Sequence, residues 1–240
     1  MSELQASTEL HVERTNHTTG LYEAAFGDLI RDAQSIVDLG AGDSPFGTDY
    51  TKHGKEVFRV DPQYADRMPA DNHNALPHYA NDIPLPDHSI DVAVSAFMFQ
   101  HLPQGELIGA LAEAARVTRL TNDENPDCGY IAIFPVFAQE KIDKAIVRAG
   151  LDDVAQVGYP DEEALHMRHP KVHYPTLVIR NTPELHQPNS QGKMRLDYLA
   201  ETIEVSQALK NKSPAARFGA ALRKATMRRT GLRNFDTRHV

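Results

Sequence analysis

Residues Ser35 to Gly47 read SIVDLGAGDSPFG. A short apolar strand ends in an acid and two glycines, and the reading of this stretch decides the fold. A strand that feeds a glycine-rich turn and then a helix builds a ligand-binding corner at the carboxyl edge of a sheet. Gly40 and Gly42 fill the first two positions of such a turn, where the backbone must bend sharply and approach a ligand closely. A dinucleotide fingerprint would also require Gly or Ala at position 45, which is Pro45. Asp38 precedes the first glycine by two residues. A carboxylate there repels a pyrophosphate, which disfavours a nicotinamide-dependent oxidoreductase. It suits a ligand with a cation at this point. The other reading is an Asp that fixes the loop through backbone N–H groups, and the residue types leave both open.

Further strands follow. EVFRVD, Glu56 to Asp61, is a strand stopped by Pro62. Asp61 ends it, beside the first strand's loop, where a carboxylate can accept hydrogen bonds from both hydroxyls of a ribose. The segment NDIPLPDHSIDVAVSAFMFQHL, Asn81 to Leu102, opens as a polar, proline-rich loop and runs into a valine-rich strand. Asn81 and Asp82 then lie near the same sheet edge, where they can receive the amino group of an adenine, and Ser95 and Phe97 end the strand. GYIAIFPVF, Gly129 to Phe137, and YPTLVIRNTP, Tyr174 to Pro183, read as two more strands.

Helical spacing fills the gaps. The chain from about Thr19 to Arg31 places Leu21, Ala25, Leu29 and Ile30 close to a 3.6-residue period. PQGELIGALAEAARVTRL, from Pro103, carries Leu107, Leu111, Ala114, Ala115 and Val117 mostly on one side, with Pro103 suited to the first turn. QEKIDKAIVRAG ends at Gly150. Strands alternating with helices argue for an α/β fold around a mostly parallel sheet with helices on both faces.

The chain has 240 residues, 41% hydrophobic and 24% charged, the composition of an ordinary globular protein. No window approaches the roughly 18 apolar residues of a membrane helix. The polar start MSELQASTEL is unlike a secretory signal, and Cys128 is the one cysteine, so no internal disulfide can form. A cytoplasmic location is the expectation. Residues 1–18 read as an arm, 1–183 as the body, and 184–240 as a helical extension rather than an independent domain. Residues 1–183 hold 14 Lys+Arg and 28 Asp+Glu, whereas 184–240 hold 11 and 5, so an acidic body carries a basic tail.

Taken in order, VDLGAGDS, VFRVD and NDIPLPDHSIDVAVSAFMFQHL resemble the class I S-adenosylmethionine-dependent methyltransferases over about residues 20–180. The resemblance implies a Rossmann-like, seven-stranded sheet whose last strand is antiparallel. It implies S-adenosylmethionine as cofactor, held by Asp38, Leu39, Gly40, Ala41, Gly42 and Ser44 about the methionine moiety, with Asp38 near its amino end. Asp61 and Pro62 would hold the ribose, Asn81 or Asp82 would lie near the adenine, and Ser95 to Phe97 would border the methyl-transfer side. The family's third glycine falls at Ser44. Only 13 residues separate Gly42 from Glu56, so the first helix after the loop must be short or irregular. The polar insertion Thr121 to Gly129 replaces the usual turn before the fifth strand.

Methyl transfer needs positioning above all, and a base only for some acceptors. His101, just beyond the strand that ends at Phe97, is the candidate base, against a packing role. Tyr22, His17 and the arm are placed to close over the cofactor. His166, His169 and His173 have the spacing of zinc ligands but are interrupted by Pro170, so no metal site is expected. The tail can contact nucleic-acid phosphates, yet it lacks interleaved aromatics and the acidic body repels a polyanion. A small-molecule acceptor, methylated at O or N, is therefore expected ahead of RNA or of a non-catalytic binding role.

Overall fold

The computed structural model describes residues 19–68, 74–121, 128–136, 146–147, 151, 154–158, 175–188, 192–201 and 203. Helices α1 (Thr19–Phe26) and α2 (Asp28–Asp32) precede strand β1 (Ser35–Leu39). Then come α3 (Phe46–Lys52), β2 (Glu56–Val60), β3 (Ala75–Leu76), β4 (Val92–Ala96), α4 (Gln104–Val117), β5 (Tyr130–Phe134), β6 (Ala155–Gly158) and β7 (Thr176–Arg180). The seven strands form one sheet in the order β3-β2-β1-β4-β5-β7-β6. Parallel pairing runs from β3 through β5, and β7 is antiparallel to both β5 and β6. The expected Rossmann-like sheet with an antiparallel last strand is thus present.

The structure splits one expected helix and adds two strands. The helix expected over Thr19 to Arg31 is two helices, because Gly27 turns the chain with φ 49°, a conformation glycine adopts without a Cβ clash. The two-residue β3 and the strand β6 were not legible, since so few residues show no alternation. The helix expected over QEKIDKAIVRAG lies mostly outside the described residues, as does most of the tail. Residues 195–201 are helical, and Leu199, Ala200 and Ile203 are buried in the same apolar cluster as the sheet and α4. The start of the extension is therefore part of the body's core.

Period-two alternation along the strands sorts the side chains between two cores. Val37, Leu39, Ala93, Ile131 and Ile133 join α4's Leu107, Leu111 and Ala114 on one face. Ile36, Val57, Val92, Val94 and Phe134 join Leu21, Tyr22 and Ile30 of the N-terminal helices and Phe46 of α3 on the other. Asp38 shares its parity with Ile36, and Arg59 with Val57, so both point to the face covered by α1 and α3. They are also register partners across β1 and β2. An acid and a base thus lie side by side in an apolar layer. At the opposite sheet edge, Asp91 accepts the backbone N–H groups of Gln34 and Ser35, each at 2.9 Å, and pairs with Arg119. This ties β1 to β4 at the end away from the glycine loop.

Candidate active site at the carboxyl edge of the sheet

The turn after β1 is held from β2. Gly40 donates its N–H to Val60 O at 2.8 Å, and Gly42 donates to Asp61 Oδ2 at 2.9 Å. The Tyr64 hydroxyl donates to Gly42 O at 2.6 Å. Gly40 has φ 71°, and a Cβ there would lie 2.5 Å from Met98 Cβ. The glycine is required both by its left-handed backbone and by the closeness of Met98. The short α3 follows directly, in line with the 13-residue spacing.

Two cavities flank this turn and share Gly40, Asp61, Gln63, Met98 and Leu102. The larger, about 340 Å³, is lined also by Tyr22, Ala41, Gly42, Ser44, Phe97 and His101. The smaller, about 250 Å³, lies towards Pro62, Tyr79, Ala80 and Asn81. Together they form a trough along the strand ends, of the size that holds small ligands.

Each expected residue can now be placed. Gly40, Ala41, Gly42, Ser44 and Phe97 line the larger cavity, Pro62 and Asn81 the smaller, and Asp61 both. His101 lines the larger cavity from a 3-10 turn over Phe99–His101 and is exposed, with its Nε2 3.1 Å from the Gln100 amide nitrogen. Asp82 faces solvent, its side chain 84% exposed, opposite His78. Leu39 and Ser95 are buried behind the loop, where the Ser95 hydroxyl donates to Leu39 O at 3.0 Å. Asp38 is fully buried and lines neither cavity. His166, His169 and His173 lie outside the described residues, as does His17. Among the described residues no group of three or more His, Cys, Asp or Glu can hold a metal ion.

Asp61 has free acceptor capacity at a fixed position. Its Oδ2 takes the Gly42 N–H and its Oδ1 takes the Gln63 N–H at 2.8 Å. The carboxylate is fixed in place, and each oxygen retains a lone pair for a further donor. Asp38 is in a different position. Its Oδ1 accepts from the Tyr22 hydroxyl at 3.2 Å, and its Oδ2 has no hydrogen-bond partner. Burial pushes its pKa up to about 7, opposed by the Tyr22 hydrogen bond and the Arg59 charge and assisted by Asp61. Burial and then Asp38 hold the Tyr22 phenol well above its usual range.

Several site residues carried no readable signal. Tyr22 was expected only as a closing residue, yet its ring is stacked on Phe46 at 4.2 Å and 10°, locking it over Asp38. Gln63, Met98, Leu102 and Tyr79 reach the trough from turns whose paths sequence spacing does not define. Arg59 did leave a trace, as a charge inside an otherwise apolar strand. Gly47 makes room for it, since a Cβ there would fall 2.5 Å from Arg59 Cδ.

The strand order, the glycine turn pinned to β2 and the acid at the end of β2 make a Rossmann-like α/β domain with a ligand-binding edge. Residues 37–120 match the family model described as a methyltransferase domain, which supports S-adenosylmethionine-dependent methyltransferase activity. No curated protein matches the chain significantly. Among solved structures, a SAM-dependent methyltransferase from Thermotoga maritima is 12% identical, with 68% of this chain and 91% of that one covered at a TM-score of 0.43. The Burkholderia thailandensis 1,6-didemethyltoxoflavin-N1-methyltransferase is 15% identical, with 74% and 86% covered and a TM-score of 0.44. The 16S rRNA N2 G1207 methyltransferase of T. thermophilus is 12% identical, with 61% and 34% covered at 0.39. Likenesses this distant decide nothing about the acceptor.

The trough fits the cofactor by its own chemistry. It combines an anchored carboxylate at Asp61 that can meet a ribose with a glycine turn, Gly40 to Gly42, whose backbone lines the larger cavity. Bound there, S-adenosylmethionine supplies an electrophilic methyl group. Among the described residues no helix is long and apolar enough to cross a membrane.

Proposed function

We propose that the chain methylates a small-molecule acceptor at oxygen or nitrogen. The observation that carries this reading is the larger cavity. It is a half-open cleft of about 340 Å³ lined by Ala96, Phe97, Met98, Leu102 and His101. In this reading Gly40 to Ser44 hold the methionine portion, Asp61 the ribose, and Pro62 and Asn81 the adenine end. The apolar wall from Phe97 to Leu102 excludes water and seats the acceptor. Phe97 is itself fixed, edge-on to Phe134 with ring centroids 5.4 Å apart. A nucleic acid would need a broad cationic surface, whereas the trough's own charged lining is Asp43, Asp61 and Glu106.

His101 is the proposed base for a hydroxyl acceptor, since an imidazole that lines the cavity can take the proton released when the oxygen is methylated. Positioned bases contribute about 10²- to 10⁴-fold. For a hydroxyl acceptor His101→Ala should therefore lower kcat by that order with the S-adenosylmethionine KM little changed. The test of the whole reading is S-adenosylhomocysteine release from S-adenosylmethionine in the presence of phenols, carboxylates, amines and, separately, bulk RNA. Turnover with a small acceptor and none with RNA is the expected result. Turnover with RNA alone, abolished by deleting residues 205–240 with Leu199, Ala200 and Ile203 of the core left in place, would replace it with an RNA methyltransferase.

A further inference from the structure

Beside the glycine turn, the acid near the end of β1, Asp38, is separated from the cavity by an aromatic side chain from a different element. Tyr22 lines the larger cavity and Asp38 does not. The Tyr22 hydroxyl donates to Asp38 Oδ1, and the Ser44 hydroxyl bonds the same phenolic oxygen. With one hydrogen donated and one lone pair used, a single lone pair of that oxygen is left. The ring cannot swing away cheaply, because it stacks on Phe46 and meets Phe26 edge-on at 5.6 Å.

We propose that Tyr22 is the group that meets the amino cation of the cofactor's methionine portion, and that Asp38 acts through it as a positioning residue. Asp38 turns the hydroxyl hydrogen inward, so the phenolic oxygen offers its remaining lone pair to the cavity. An ionised Asp38 polarises the hydroxyl and makes that lone pair a better acceptor. A protonated Asp38 no longer demands the hydrogen, and the preference for a cation is lost. The groups that face Asp38 are Tyr22 from α1, Arg59 from β2, and Asp61 and Tyr64 beyond it. Arg59 keeps the carboxyl ionisable despite its burial, and the carboxyl titrates at about 7. The selection for a cation should therefore change near neutral pH.

The inference rests on S-adenosylmethionine as cofactor, and two probes separate the two claims. S-adenosylhomocysteine carries the amino acid portion, whereas 5′-methylthioadenosine lacks it. Calorimetric titrations of the full chain with both are run from about pH 6 to about pH 8, spanning the Asp38 titration. Tyr22→Phe retains the ring and its stacking. It should weaken S-adenosylhomocysteine by roughly 10- to 100-fold, the range of a hydrogen bond to a charged group, while leaving 5′-methylthioadenosine within about twofold. In the wild type the ratio of the two affinities should rise with pH, and in Tyr22→Phe and Asp38→Asn it should be flat. A Tyr22→Phe variant that binds S-adenosylhomocysteine like the wild type overturns the inference. So does equal weakening of both probes, which marks a packing role. Wild-type protein that binds neither probe overturns the cofactor reading and this inference with it.

Discussion

Replacing Asp38 by Asn should remove a pH dependence of stability that runs opposite to the usual one for carboxylates. A surface acid in a salt bridge has a depressed pKa, and its contribution is lost on acidification. Asp38 is the reverse case, with its pKa raised from 3.8 to about 7 by complete burial. Between these values the folded chain holds the proton and the unfolded chain does not. Stability therefore falls as pH rises through that window and levels off above about 7. At about 1.4 kcal/mol for each pH unit, the full effect is roughly 4 kcal/mol, a substantial part of a typical domain's stability. Asp38→Asn keeps the shape and cannot titrate. In urea denaturation, the wild-type minus variant difference should shift by about 4 kcal/mol in favour of the variant from about pH 4 to about pH 8, with other titrating groups cancelling. A difference that stays constant within about 0.5 kcal/mol would refute the claim that Asp38 is a buried, high-pKa carboxyl.

Other outcomes follow from the same geometry. Asp61→Ala removes the acceptor of the Gly42 and Gln63 N–H groups, so both S-adenosylhomocysteine and 5′-methylthioadenosine should lose at least about tenfold in affinity by calorimetry. Gly40→Ala forces a side chain into a left-handed backbone and against Met98; the strain alone is about 1–2 kcal/mol, and ligand binding should be reduced in step with a lowered Tm. Asp91→Ala leaves the Gln34 and Ser35 N–H groups without their acceptor, which should cost about 2–4 kcal/mol in urea unfolding while sparing the affinity of the distant trough. Leu107→Ala opens a hole under α4 where the side chain is fully buried, with an expected loss of about 2–5 kcal/mol in the same measurement.

The sheet and the glycine turn were legible because each rests on a local signal of several residues. SIVDL and VAVSA are apolar runs buried throughout, and Gly40 and Gly42 mark a turn only glycine makes easily. Asp61 was legible for the same reason, as a polar residue ending a strand. What escaped was direction. Alternation from Ile36 already places Asp38 on the face covered by the N-terminal helices, but nothing local says that Tyr22, sixteen residues earlier, would seal it there. Asn81 and Asp82 are neighbours of equal chemistry. Both are exposed, and only tertiary structure shows that Asn81 packs beside Gly109 and lines the smaller cavity while Asp82 lies opposite His78. Met98, Leu102 and Tyr79 are apolar residues in irregular segments, and only tertiary structure distinguishes a pocket wall from core.

The central claim is that the trough between Asp61 and the glycine turn holds S-adenosylmethionine. The most direct measurement is calorimetric titration of the full chain with S-adenosylhomocysteine, repeated with NADH. Saturable, one-to-one binding of S-adenosylhomocysteine in the micromolar range, strongly reduced by Asp61→Ala, with no binding of NADH, is the expected result. Absence of S-adenosylhomocysteine binding up to millimolar concentration, or binding of NADH instead, would contradict it.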